Sequence, residues 1–208
     1  MSDWMIYSIG FIAQMLFSGR LLFQWIISEK NKKVLTPTLF WQLSLLASFL
    51  LFVYGYMRDD FAIMLGQTLT YFIYIRNLQL QGQWHTLHKF FRRFVFVFPI
   101  LVVIYSFYSS TFEIENLFKN ETIPFWLLTL GTVAQITFTF RFIYQWIYSE
   151  RKKESSLPLG FWILSLTGST LILIYAVFRE DPVLLAGHIF GSVVYIRNIY
   201  LNYHEKKQ

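Results

Sequence analysis

Cysteine is absent from the 208-residue chain, which excludes disulfides, thiol nucleophiles and thiolate metal sites. Charge is scarce as well. Asp, Glu, Lys and Arg make up 14% of the residues, against about 25% in an ordinary soluble domain. Polar stretches long enough to fold a water-soluble core are missing. So are strand patterns, and with them any strand-borne glycine-rich phosphate loop. His85, His88, His188 and His204 form no metal-ligand grouping with carboxylates. No catalytic constellation, metal centre or cofactor motif is read from the chain. The opening MSDWMIYSIG lacks the basic start of a cleavable signal peptide, so the first apolar run is expected to stay in the mature protein.

What the chain has in quantity is apolar surface, 55% of residues being hydrophobic and 21% aromatic. Apolar runs near 20 residues recur throughout, each long enough to cross roughly 30 Å of hydrocarbon. We predict an all-α, multi-pass membrane protein with spans at 4–27, 37–57, 61–80, 92–111, 123–148, 158–178 and 182–202. Pro37, Pro158 and Pro182 each open a span, where a missing N–H costs nothing. With the N-terminus outside, Lys30, Lys32, Lys33, Lys89, Arg92, Arg93, Arg151, Lys152, Lys153, Lys206 and Lys207 are cytoplasmic, and only Arg58, Lys119 and Arg179 are outside. That bias predicts an external N-terminus and a cytoplasmic C-terminus. The net charge of +6 is therefore a topology signal. Spread over short juxtamembrane turns, it forms no nucleic-acid groove.

Adding 121 to a residue number maps the first part of the chain on to the second without a gap. Gln14 falls on Gln135, Arg20 on Arg141, Gln24-Trp25 on Gln145-Trp146 and Ser28-Glu29 on Ser149-Glu150. Pro37, Phe40-Trp41, Ser44 and Ser48 fall on Pro158, Phe161-Trp162, Ser165 and Ser169. Tyr54, Arg58, Asp60 and Gly66 fall on Tyr175, Arg179, Asp181 and Gly187, and the string YIRN at 74–77 recurs at 195–198. Between residues 10 and 80, 28 of 71 positions are identical to their partners. Apolar bias would match Leu, Ile and Phe; it would not match Arg, Gln, Ser, Pro and Asn. The chain is an internal duplication. Three spans per copy would invert the second, and the unmatched fourth span restores its orientation. The expected plan is 3+1+3: a first three-helix repeat at 1–81, a linker with the fourth helix at 82–112, and a second repeat at 113–208. Such parallel repeats are one of the schemes of transporter folds.

Candidate binding residues follow from helix faces. Arg20 and Gln24 stand four apart on one face, as do Arg141 and Gln145. Arg20 lies roughly 10 Å inside the cytoplasmic end at 1.5 Å per residue. An ionisable residue there is a functional candidate, although snorkelling to the headgroups is open to a side chain of that length. Trp41, Ser44 and Ser48 form a stripe mirrored by Trp162, Ser165 and Ser169. It suits either helix packing or an aromatic wall for a sugar or lipid. Gly66, Thr70, Tyr74 and Asn77 share a face, as do Gly187, Gly191, Tyr195 and Asn198, and the Gly187–Gly191 pair reads as a site of close backbone approach. Arg76 and Arg197 point about 100° away from Asn77 and Asn198, and lipid-headgroup anchoring is open to them. No carboxylate is expected at the depth of the four arginines, since Glu29 and Glu150 lie in turns. Arg offers a planar fork of donors matched to phosphate, so a phosphate or diphosphate guest held between the two repeats is expected. Asp59-Asp60 and Glu180-Asp181 read as solvated turns.

The doubled pattern Arg-x-x-x-Gln-Trp-x-x-Ser-Glu, Pro-x-x-Phe-Trp-x-x-Ser, Arg-(Asp/Glu)-Asp and Tyr-Ile-Arg-Asn resembles the lipid A biosynthesis N-terminal domain family, in two tandem copies. That family is similar in plan to the PQ-loop and SWEET transporters, built of three-helix bundles. The resemblance implies a bacterial inner-membrane protein linked to lipid A or to lipid-carried sugars: a transporter, flippase or binder of an anionic lipid-linked sugar, a membrane partner of a glycosyltransferase, or a neutral-sugar carrier. The family name implies a link to lipid-A-disaccharide synthase, yet no nucleotide-sugar domain is present in these residues, so catalysis of that reaction alone is not expected. Gly19, Lys33, Phe61 and Gln67 differ from their counterparts Phe140, Glu154, Pro182 and His188, so the halves are expected to be functionally unequal. Oligomeric state is left open.

Overall fold

The computed structural model describes residues 3–57, 61–108, 124–178 and 182–205. The acidic turns at Asp59-Asp60 and Glu180-Asp181 lie outside them. Each predicted span becomes one helix: α1 (Asp3–Asn31), α2 (Thr38–Met57), α3 (Phe61–Leu80), α4 (Lys89–Tyr108), α5 (Phe125–Lys152), α6 (Leu159–Phe178) and α7 (Pro182–Glu205). A short 3₁₀ turn, Gln83–Thr86, precedes α4. Among the described residues, α1 (from Trp4), α2, α5 and α6 are long and apolar enough to cross a membrane. Among the described residues the structure is thus all-helical, with four helices long and apolar enough to cross a membrane.

The first helix runs past the predicted end at residue 27, because Ser28, Glu29 and Lys30 remain helical. It stops at Lys32, whose φ of 55° is left-handed, and α5 stops at Lys153, also at 55°. A left-handed residue ends many helices by returning its N–H groups to the last carbonyls. Accordingly, Lys33 N–H donates to Ser28 O (3.2 Å) and Glu154 N–H to Ser149 O (3.2 Å). The serine hydroxyls hold the same turns from inside, accepting from the N–H of Leu35 (3.0 Å) and Ser156 (3.2 Å). The serine of the duplicated Ser-Glu motif is therefore part of a helix-stop device.

The chain divides into two compact units. One comprises Met1–Arg20 with Thr38–Asn120, the other Leu21–Pro37 with Glu121–Gln208. In the first, Phe40, Trp41, Phe52, Tyr71 and Tyr74 form the buried centre; in the second, Phe142, Phe161, Trp162, Val194 and Tyr195 do. Gly10 lies under the Tyr54 ring and Gly131 under the Tyr175 ring, where an added Cβ would come to 3.0 and 2.7 Å. The close backbone approach expected at Gly187 and Gly191 is found elsewhere. Beyond its own helix backbone, no described atom lies within 4 Å of a Cβ placed on Gly187, and the Gly191 position meets only the Tyr195 ring of its own helix. The tight crossing is at Gly168, where a Cβ would stand 2.8 Å from the Phe138 backbone of α5.

Candidate functional site: two arginine cages

In the first unit Arg20 is 4% exposed. Its guanidinium donates to the Ser44 hydroxyl, which in turn donates to Phe40 O. Three rings surround the cation, with centroids 4.6 Å (Phe17), 5.0 Å (Phe40) and 5.4 Å (Tyr74) from Cζ. A snorkelling side chain would leave its head exposed; this one is enclosed by protein. Trp41 packs edge-on against Phe40 (4.8 Å) and tilts over Tyr74 (6.0 Å). The tyrosine ring thus lies against both the guanidinium and the indole.

The second unit rebuilds the cage around Phe138 and Phe161, the counterparts of Phe17 and Phe40, but takes its third ring from Phe142, whose counterpart is Leu21. Arg141 is 7% exposed and lies 3.4 Å from the Phe138 centroid, 4.7 Å from Phe142 and 5.7 Å from Phe161. It donates to the Tyr195 hydroxyl at 3.3 Å. Ser165 donates to Phe161 O at 2.6 Å, and Trp162 packs against Phe161 (5.0 Å) and Tyr195 (6.2 Å). Cation–π contacts of this kind stabilise by about 2 kcal/mol when desolvated, which offsets part of the cost of burial. Trp41 and Trp162 are both fully buried, and their indole N–H groups meet no acceptor among the described residues. Each cage therefore pairs a buried cation with an unanswered donor.

The other candidates fall into structural roles of varied kind. Gln24, fully buried, exchanges amide hydrogen bonds with Asn198 at 2.9 and 3.2 Å and donates to Leu35 O at 3.1 Å. Gln145 donates to Ser149 Oγ (2.9 Å) and Ser156 O (3.0 Å). These glutamines brace the serine-held turns. Asn77 donates to Ile73 O and Asn198 to Val194 O, both at 2.9 Å. Arg76 donates to Gln79 Oε1 at 3.1 Å. At Arg197 the expectation of no carboxylate fails: Nε and Nη2 grip Glu29 at 2.7 and 2.5 Å, a bidentate pair. Glu29 stays on α1 because the helix continues past residue 27, and that places it in the reach of α7. Arg197 is therefore withdrawn from the set expected to meet a guest without a protein counter-charge.

One contact shows how the halves diverge. Ser48 donates to Gln67 Oε1 at 3.0 Å. At the equivalent place Ser169 lies 3.0 Å from His188 Nδ1 and 3.1 Å from Ser192 Oγ. An amide is exchanged for an imidazole at one geometry. The cage aromatics Phe17, Phe40, Phe138 and Phe161 were not among the sequence candidates. Their signal was present: Phe40 and Phe161 stand in the duplicated Phe-Trp motif and Phe17 and Phe138 also match at the 121-residue offset, but neither pair stands out as a candidate in a chain where phenylalanine is common.

Buried arginine cages, duplicated with the helix stops among described residues that are helical and carry long apolar helices, define a tandem helical domain. The Lipid A Biosynthesis N-terminal domain model matches residues 9–79 and 130–200, about two thirds of the chain and offset by the same 121 residues. The chain belongs to that family. It is similar to proteins named lipid-A-disaccharide synthase from Chlamydia pneumoniae (30% identical over 98% of this chain and 34% of that protein) and Chlamydia felis strain Fe/C-56 (29% over 97% and 34%). The same name and a 28% identity, over 97% of the chain and 34% of the relative, describe the match in Chlamydia caviae. The chain spans about a third of the length of these curated relatives. No solved structure matches.

Proposed function

We propose that the chain is a membrane-embedded binding module for an acylated, phosphate-bearing sugar precursor of lipid A, which it presents to a glycosyltransferase. The observation that carries this reading is the duplicated cage: a guanidinium buried among ring faces, one of which also packs against a tryptophan whose indole N–H meets no acceptor among the described residues. Phosphate oxygens accept strongly from both donor types, and buried polar groups are normally paired. Arg20 and Arg141 contribute to phosphate recognition, Ser44 and Ser165 orient the cage, and Trp41 and Trp162 supply the second donor. The relatives' name and greater length support a role beside a transferase. The Lys/Arg bias supports a bacterial inner-membrane setting with an external N-terminus.

A second reading, transbilayer movement of the same lipid, is favoured by the parallel duplication, a plan of transporter folds. A neutral-sugar carrier gives the buried cations no task. The two leading readings separate in proteoliposomes loaded with a fluorescent acyl-glucosamine phosphate. Binding is expected to fall about ten- to hundredfold in Arg20→Ala and Arg141→Ala, as for loss of a charge-assisted hydrogen bond of about 1.5–3 kcal/mol. Unchanged binding in both variants would overturn the phosphate role. Loss of label to an outer-leaflet quencher, faster than in protein-free vesicles, selects movement over presentation.

A further inference from the structure

The first unit holds a feature that the arginine cages do not use. Between α2, α3, the 3₁₀ turn and α4 lies a cavity of about 360 Å³, lined by Gln42, Leu45, Phe49, Tyr71, Phe94 and Val95 among others. That volume is in the range of small-ligand pockets, which are mostly apolar with a few polar groups. Its polar groups are informative. Gln42 and Gln83 line it from exposed positions. Tyr71, 1% exposed, contributes a buried hydroxyl with no partner among the described residues. A buried, unanswered hydroxyl costs about 1–3 kcal/mol.

The same two helices, α2 and α4, line a further space towards their C-terminal ends. This second space of about 350 Å³ is lined by Phe52, Tyr56, Phe98 and Leu101. The two are separated by rings of Phe49, Phe94 and Phe98, whose centroids lie 5.2–5.3 Å apart. From Gln42 to Tyr56 the seam follows α2 for about 21 Å at 1.5 Å per residue, the length of a long acyl chain. Its α4 wall begins at Phe94 and Val95, directly after Arg92 and Arg93 and one turn from Lys89. Gly82, at φ 71°, makes the turn that brings Gln83 and Leu87 to the cavity.

We propose that this α2–α4 seam is an acyl-chain site for an anionic membrane lipid: the hydrocarbon lies along the phenylalanines, the Tyr71 hydroxyl donates to an acyl carbonyl or hydroxyl, and Lys89, Arg92 and Arg93 attract the phosphate head. The site does not depend on the arginine cages. α4 has no counterpart in the duplication, so the second repeat offers no sequence equivalent.

The test uses the full chain in vesicles containing phosphatidylglycerol with a diazirine on one acyl chain, followed by peptide mapping. Crosslinks are expected to concentrate on Leu45, Phe49, Tyr71 and Phe94, above those on outward-facing Phe11 and Ile163. Leu45→Trp, which fills the cavity, should cut that labelling about tenfold, a difference of about 1.4 kcal/mol. Tyr71→Phe should reduce it several-fold while leaving the thermal midpoint of lipid-stripped protein unchanged or raised, since it removes an unpaired hydroxyl. Arg20→Ala and Arg141→Ala should label as the parent does, which keeps this outcome distinct from that of the cages. Even labelling of all lipid-facing helices would overturn the site, as would full labelling of Leu45→Trp. Equal capture of the same probe on a choline headgroup would overturn its anionic preference. The map on the parent protein stands even where a variant fails to fold.

Discussion

A guanidinium enclosed by three rings is held by electrostatics that lysine cannot reproduce. Lys lacks the planar, delocalised head that stacks on Phe17 and Phe40 or on Phe138 and Phe161. Arg141→Lys is therefore expected to weaken lipid-phosphate binding nearly as much as Arg141→Ala, measured by the same vesicle assay. A site that read only net charge would retain its affinity in the lysine variant. The Glu29–Arg197 pair behaves differently, because both side chains are about a third exposed. Glu29→Gln should lower the thermal midpoint in detergent only slightly, as expected for a solvent-screened pair, and leave binding unaltered. The double exchange Glu29→Arg with Arg197→Glu should recover most of the loss. At this scale the sequence disclosed the arginines, glutamines, tryptophans and serines through their recurrence. It concealed the Glu29–Arg197 contact, because a pair 168 positions apart depends on the rotation and length of two helices, and a face drawn on one helix contains neither.

Helices were legible where polar letters interrupted apolar runs. Pro37 and Pro158 precede α2 and α6 directly, and Pro182 opens α7. The end of α1 was less legible, since the stop lies in a left-handed lysine with no glycine to advertise it. Crossing points were less legible still. Glycine spacing pointed to Gly187 and Gly191, whereas the backbone of α5 comes nearest at Gly168, whose counterpart in the first copy is Ala47. Opposite outcomes follow for one substitution made at two places. Gly168→Ala must push the Phe138 backbone away, and overpacking of this kind costs about 1–3 kcal/mol, more than the helix propensity of up to about 1 kcal/mol that alanine returns. Gly187→Ala meets no described atom beyond its own helix backbone and should be neutral or stabilising. Thermal unfolding of the two variants in one detergent decides between this account and packing through the Gly187–Gly191 stripe.

At the level of the whole chain, duplication is the fact from which the rest was readable. It set the register at 121 residues, and the family match has the same register. The basic turns predict an orientation, and the absence of cysteine makes it measurable on a clean background. Single cysteines replacing Lys32 and Lys153 are expected to resist an impermeant maleimide in intact cells and to react after permeabilisation. Labelling of one and not the other would refute like-oriented repeats. The division into compact units was not readable, because it cuts α1 after Arg20, in the middle of an unbroken helix. The latter portion of that helix supplies Gln24 to Asn198 and Glu29 to Arg197 in the second unit. A truncated gene starting at the second repeat would thus encode a protein with an orphaned amide and an orphaned cation. Such a fragment would need to borrow the missing helical stub from another polypeptide, which makes co-expression with a peptide covering residues 21–37 a route to restoring it.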